Sequence, residues 1–368
     1  MANPFHHPRH EPGVTRRPFG TLPDGGEVEA ITLTNTRGMA ATIITYGAGI
    51  QTMLVPDHEG QFADVALGHA TLQPYLDQPQ YIGSTVGRVA NRIAGGRFRF
   101  DGQDYRVPIN DGPNSLHGGA VGFDKVNWRV LGTTDDPVPG VTLGHVSPDG
   151  DQGYPGKLTV TATYCMTDAG ELMIEYRAAT DAPTLVNITN HAYWNLSGEG
   201  AAGGAMDHLL TIHADAFLPT DAIAIPTGEF RPVAGTPFDF RQPIAISARV
   251  REAGEEQIRF GRGYDHCWVI AREPAPEARP IARVVHPASG RVLELLSNQP
   301  GVQFYSGNFL DGTSSGKTGR LYRMGDAVVL EPQMFPDTPN RPEFGSLRLD
   351  PGESYRNVIV FRFSVDAV

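Results

Sequence analysis

Hydrophobic and polar side chains alternate in short runs along almost the whole chain. Glu29-Ala30-Ile31-Thr32-Leu33-Thr34 is followed by Ala40-Ala41-Thr42-Ile43-Ile44-Thr45-Tyr46. After a break at Gly47-Ala48-Gly49, Ile50-Gln51-Thr52-Met53-Leu54-Val55 runs into a Pro56-Asp57 turn. A period of two bounded by turn residues predicts strand, turn, strand, turn. Similar runs recur at 97–107, 126–132, 157–166, 171–179, 209–212, 281–285, 291–296, 301–305, 327–331 and 356–365. Helical periodicity is weak, with short helices expected around Leu72–Leu76 and near Ile244–Ala253. No internal repeat, linker-like tract or step in composition divides the chain. The pattern therefore predicts an all-β fold, one large antiparallel domain over residues 14–368. Residues 1–13, with His6, His7 and His10 among prolines, read as a disordered tail. A sheet system of this kind closes on itself or stacks, and binds ligands in a groove on a curved face or at its rim.

Composition narrows this picture. Of 368 residues, 43 are Gly and 30 are Pro, and they fall between the apolar runs, where turns are needed. The net charge of -11, without basic clusters, argues against nucleic acid or an anionic membrane as partner. Cys165 and Cys267 make no disulfide framework and are expected as buried free thiols. No apolar run approaches a membrane span, and the first residues lack a basic-then-apolar signal pattern, so a cytoplasmic location is expected.

Chemistry concentrates in Leu185-Val186-Asn187-Ile188-Thr189-Asn190-His191-Ala192-Tyr193-Trp194-Asn195-Leu196. The run starts as a buried strand and ends in polar and aromatic groups. His191 is the group there that exchanges a proton near neutral pH, and Tyr193 and Trp194 offer flat faces to a ligand. Alone, His191 reads equally as a core histidine. In Tyr81–Ile93, Arg88 and Arg92 suit either sugar hydroxyls or surface carboxylates. Asn114-Ser115-Leu116-His117-Gly118-Gly119 sets a second histidine in a turn-rich loop. Asp265 and His266 open an apolar strand, Gln303 and Tyr305 share one face of another, and Glu331 ends a third after Val328-Val329-Leu330. A carboxylate so embedded is costly unless hydrogen-bonded or functional, which makes Glu331 a candidate general base. Gly312–Thr318 lacks the first glycine and the strand–helix context of a phosphate loop. The spacing of His117, His191, His266 and Asp265 matches no standard metal motif.

Taken together, seven stretches in order resemble the aldose 1-epimerase (galactose mutarotase) family. They are Gly87-Arg88-Val89-Ala90-Asn91-Arg92-Ile93, Asn114–Gly119, Gly153-Tyr154-Pro155-Gly156, Thr189–Leu196, Gly263–His266, Gln303–Gly312 and Leu330-Glu331-Pro332-Gln333. The resemblance spans about Val14 to Val365. It implies a large antiparallel β-supersandwich with an open sugar cleft, and interconversion of the α and β anomers of free aldohexoses. It further implies Glu331 as general base and His191 as general acid, with Asn91, Arg92, His117, Tyr193, Asp265 and Gln303 binding the sugar. No cofactor or metal is expected, and the partner is a small sugar held by a monomer or homodimer. The chemistry agrees: one base at the C1 hydroxyl and one acid at the ring oxygen open and reclose the ring, with Glu331 ionised and His191 protonated at neutral pH. The competing readings are a catalytically silent sugar-binding domain, a sugar-phosphate epimerase with extra basic residues, and a glycosidase using Asp265 and Glu331, which needs carboxylates about 5–9 Å apart.

Overall fold

The computed structural model describes residues 11–77 and 80–366; His6, His7 and His10 lie outside them. Gly13–Thr21, Glu27–Thr34, Ala40–Ile44, Gly49–Pro56 and Phe62–Asp64 form a five-stranded meander. Its turns use the expected chemistry: Asn35 Oδ1 accepts from the Arg37 and Met39 N–H groups and closes the second connection. A nine-stranded antiparallel sheet runs Arg129–Thr134, Gly140–Ser147, Leu158–Met166, Glu171–Thr180, Tyr355–Val365, Arg291–Ser297, Arg279–Val285, Leu209–Ile212, Ile244–Ala245. A six-stranded sheet runs Tyr193–Trp194, Val328–Gln333, Gly301–Tyr305, Asp265–Val269, Ala216–Leu218, Arg231–Pro232.

Alternation builds the core between these sheets. Leu158, Val160, Ala162, Tyr164 and Met166 all point inward from one strand, and Leu172, Ile174 and Tyr176 from its neighbour. Burying each aliphatic side chain of this size contributes about 1.5–3 kcal/mol before entropy is counted. One cluster joins residues from Ile31 to Phe363 and draws on all three sheets.

Three elements differ from expectation. The strand Gly13–Thr21 carries Arg16, Arg17 and Pro18 and shows no apolar alternation; it pairs at the meander's edge with a register shift between Pro18 and Gly20. Gly140–Ser147 hides its pattern behind Gly140, Gly144 and His145. Finally, no α-helix forms over Ile244–Ala253, where the strand Ile244–Ala245 is followed by a single 3₁₀ turn at Ile246–Ala248. Ile244 and Ala245 pair with Leu209 and Leu210, and the next two N–H groups go to the His208 and Met206 carbonyls, so extended pairing takes the donors a helix needs. The α-helices among the described residues are Gln73–Asp77, as expected, and Glu256–Gly261.

Arg88 meets neither a sugar nor a surface carboxylate. It is 2% exposed, and its guanidinium reaches the carbonyls of Ser147, Pro148, Pro155 and Gly156 and the hydroxyls of Ser147 and Thr184. It ties the loop that carries Asn91 and Arg92 to the nine-stranded sheet. Arg88→Ala leaves several buried carbonyls without donors, and urea titration is expected to show a loss of about 3 kcal/mol or more. A loss under about 1 kcal/mol would mean that the loop is anchored by other contacts.

Candidate active site

Register in the six-stranded sheet decides which side chains meet. Glu331 is paired with Gln303, Gln303 with Cys267, and Tyr305 with both Asp265 and Val329. Opposite residues in an antiparallel pair share a face, and residues two apart on one strand share it too. Glu331, Gln303, Tyr305 and Asp265 therefore stand on one face, joined by Tyr193 through its pairing with Val329. The other face carries Phe304, Leu330, Trp268 and Trp194 into the main core. This accounts for two residues near the site that stay out of it. Trp194 is fully buried against Phe361 and Phe363, and His266 packs on Phe238 with ring centroids 4.8 Å apart.

Two loops from the other side complete a cleft of about 240 Å³. Arg92–Ile93 pairs with Ser115–Leu116, which brings Asn91, Arg92, Asp111 and His117 over the sheet face. Asn91 and His117 both have left-handed backbones, with φ of 63° and 52°. Gly118 follows because a Cβ there would lie 1.9 Å from the Gly87 carbonyl oxygen. The Asn91 N–H donates to Nδ1 of His117 at 3.1 Å. A backbone N–H only donates, so neutral His117 carries its proton on Nε2, and burial holds its pKa well below the ordinary value. His117 is a fixed neutral donor.

At the floor, His191 Nε2 and Glu331 Oε1 lie 3.7 Å apart, with side chains 7% and 2% exposed. His191 follows the short strand Thr189–Asn190, and its N–H donates to the Ser84 carbonyl. The rings of Tyr81, His117 and Tyr193 surround its imidazole at 5.8, 5.3 and 5.1 Å. Burial lowers the His191 pKa to about 4. Burial, and then the nearby Asp265 charge, raises Glu331 well above the carboxylate range, against the pull of Arg92. Both directions run opposite to the charge states expected above: they favour a neutral pair with its one proton on the glutamate. Desolvation is responsible, because it penalises both charged forms at once.

Glu331, His191, Asn91, Arg92, His117, Tyr193 and Asp265 all line this cleft. Gln303 stands behind it: its Nε2 donates to Asp265 Oδ1 at 2.7 Å, while Oε1 is buried without a partner among the described residues. Arg92 is held between Asp111, 2.7 Å from Nε, and Asp265, 3.6 Å from Nη2. The sequence reading missed Tyr81, Asp111, Leu116, Phe309 and Leu310, which also line the space. Tyr81 opens the stretch that carries Arg92, and Asp111 sits three residues before Asn114, so proximity to chosen motifs was the available signal. Lys317 of the glycine-rich segment is turned onto Asp64 and the Ala66 carbonyl instead of an open loop. Cys165 and Cys267 are free, and Cys267 is buried. His117, His191 and Glu331 each bring a donor atom to within 4.8 Å of the others, the one such group among the described residues able to gather a metal ion. The arrangement as built brings a carboxylate, an imidazole and a ring of hydrogen-bonding side chains together in one cleft.

Residues 29–362 match the family model described as aldose 1-epimerase. The chain is 47% identical over 355 residues to the galactose mutarotase of Sus scrofa, an alignment covering 96% of this chain and 99% of that protein. It is 38% identical to the aldose 1-epimerase of Escherichia coli K12, covering 93% and 96%. Among solved structures it is similar to an aldose epimerase homologue from C. elegans, with a TM-score of 0.83, 33% identity, and 92% and 99% of the two chains covered.

Proposed function

The chain belongs to the aldose 1-epimerase family, and we propose that it interconverts the α and β anomers of free aldohexoses, galactose and glucose among them, with Glu331 and His191 as the proton-transfer pair. The observation that carries this reading is a buried carboxylate and imidazole 3.7 Å apart at the floor of an open cleft walled by hydroxyl-binding side chains. Glu331 takes the proton of the C1 hydroxyl as the C1–O1 bond becomes a carbonyl. The bond from C1 to the ring oxygen breaks, and His191 delivers a proton to that oxygen. Rotation about C1–C2 turns the aldehyde over, and closure returns both protons. Asn91, Arg92, His117, Tyr193 and Asp265 hold the other hydroxyls so that the second transfer meets the same two groups, and Gln303 holds Asp265 in place. Arg92, the cation lining the cleft, already faces two carboxylates, which favours a neutral sugar over a sugar phosphate. No helix among the described residues is long and apolar enough to cross a membrane; a cytoplasmic role in hexose metabolism belongs to the same proposal.

Ring opening needs Glu331 ionised and His191 protonated, and it leaves Glu331 protonated and His191 neutral. Burial favours the second distribution, the one that complements the open-chain sugar. Both carry a single proton, so the pair is competent wherever it holds one. As pH falls through about 4, His191 gains a second proton and no base remains. As pH rises, activity persists until Glu331 gives up its proton, above the usual carboxylate range. Polarimetry of freshly dissolved α-galactose, corrected for the spontaneous rate, is expected to show accelerated decay with kcat/KM flat across pH 6.5 and an acid limb near pH 4. Unperturbed groups would confine activity to roughly pH 4.3–6.5. No acceleration with any aldose would overturn the function, and a fall in kcat/KM through pH 6.5 would overturn the shared proton.

A further inference from the structure

Gln303, Asp265, Arg92 and Asp111 follow one another as a line of polar contacts that starts on the strand beside Glu331. Glu331 is paired with Gln303, Gln303 donates to Asp265, Asp265 faces Arg92, and Arg92 Nε donates to Asp111 Oδ2 at 2.7 Å. A hexose with C1 and its ring oxygen at Glu331 and His191 would turn its remaining hydroxyls toward Asp265, Arg92 and Asp111, which line the cleft. We propose that Asp111 is a substrate-binding carboxylate at the open end of the cleft, which receives a hydrogen bond from a hydroxyl remote from C1 beside the one held by Arg92. This inference rests on the function proposed above.

Three observations carry it. Asp111 lines the cleft, and its side chain is 37% exposed where Arg92 is 10% exposed, so it sits at the rim within reach of a ligand. Arg92 occupies Oδ2, while Oδ1 has no hydrogen-bond partner among the described residues. The backbone that carries it is locked. Asp111 and Asn114 exchange both backbone hydrogen bonds, at 3.1 and 2.9 Å, and the Asn114 side chain is itself held by the Gly95 N–H and the Ile223 carbonyl. A free acceptor on a rigid support, next to a guanidinium, suits two neighbouring hydroxyls, one donating to the carboxylate and the other accepting from the arginine.

Polarimetric kcat and KM of wild type, Asp111→Ala and Asp111→Asn are to be measured on galactose and its 2-, 3-, 4- and 6-deoxy analogues. Asp111→Ala is expected to lower kcat/KM on galactose roughly 10- to 100-fold, mostly through KM, because the contact is made equally before and during ring opening. That penalty is expected to fall to near unity on the one analogue that lacks the contacted hydroxyl. Asp111→Asn keeps the acceptor and the shape without the charge; it is expected to show a smaller penalty with the same selectivity, and it carries the test should Asp111→Ala melt early. A penalty equal on every analogue, or none on galactose, would overturn the inference and leave Asp111 as a support for Arg92. A wild type that accelerates no aldose would overturn this inference and the function together, so the two failures are told apart.

Discussion

Glu331→Gln is expected to lower kcat for anomer interconversion by about 10²–10⁴-fold without weakening the fold. The amide has the same shape and still hydrogen-bonds to the C1 hydroxyl, but it cannot take the proton, so KM is expected to change little. The stability side follows from burial. Burial and Asp265 raise the carboxyl above its unfolded value. The stabilising contribution of such a group is complete below the unfolded pKa and is lost as pH rises through the folded one. At neutral and alkaline pH the glutamate is therefore a liability to the folded chain, and the glutamine removes it. Thermal melts at pH 5 and pH 8 are expected to show the wild type losing more of its midpoint on going to pH 8 than Glu331→Gln does. A variant that is both slow and unstable would point to a structural role; one that keeps the wild-type rate would end the case for Glu331 as base.

Much of this architecture was legible in the sequence because a two-residue period is a direct consequence of strand geometry. Runs such as 157–166 and 291–296 carried it plainly, and the strands Leu158–Met166 and Arg291–Ser297 formed there. Gly13–Thr21 was not legible, since an edge strand with two arginines and a proline has no buried side to mark it. Tyr193 and Trp194 show a second limit. Adjacent residues on a strand face opposite ways, so only one of the two rings reaches the cleft, and the sheet's pairing with Val328 and Val329 selects Tyr193. The same parity sends Asp265 to the cleft and His266 to the core. Asp111 escaped notice because its partner, Arg92, lies 19 positions away and meets it only when two loops fold over the sheet. Charge states were the least legible feature. Glu331 and His191 have ordinary pKa values until both are desolvated together, and no spacing along the chain reports that.

The companion substitution, His191→Asn, is expected to cost about 10²–10⁴-fold in kcat as well. An asparagine amide still donates a hydrogen bond toward the ring oxygen, but it has no proton to release and none to recover on closure. It is also shorter than the imidazole that Tyr81, His117 and Tyr193 surround, so part of the loss is expected in KM. His117 cannot take over the missing proton transfer. Its Nδ1 is committed to the Asn91 N–H, and burial together with the neighbouring His191 and Arg92 keeps its ring neutral. The decisive measurement is the double variant. In the proposed mechanism one proton passes from His191 to Glu331 through the sugar in each opening, so either substitution alone breaks the transfer. Glu331→Gln/His191→Asn is therefore expected to be no slower than the slower single variant, within about twofold. Losses that multiply would mean that the two groups act independently, and the single shared proton would have to be given up even if each residue proved essential.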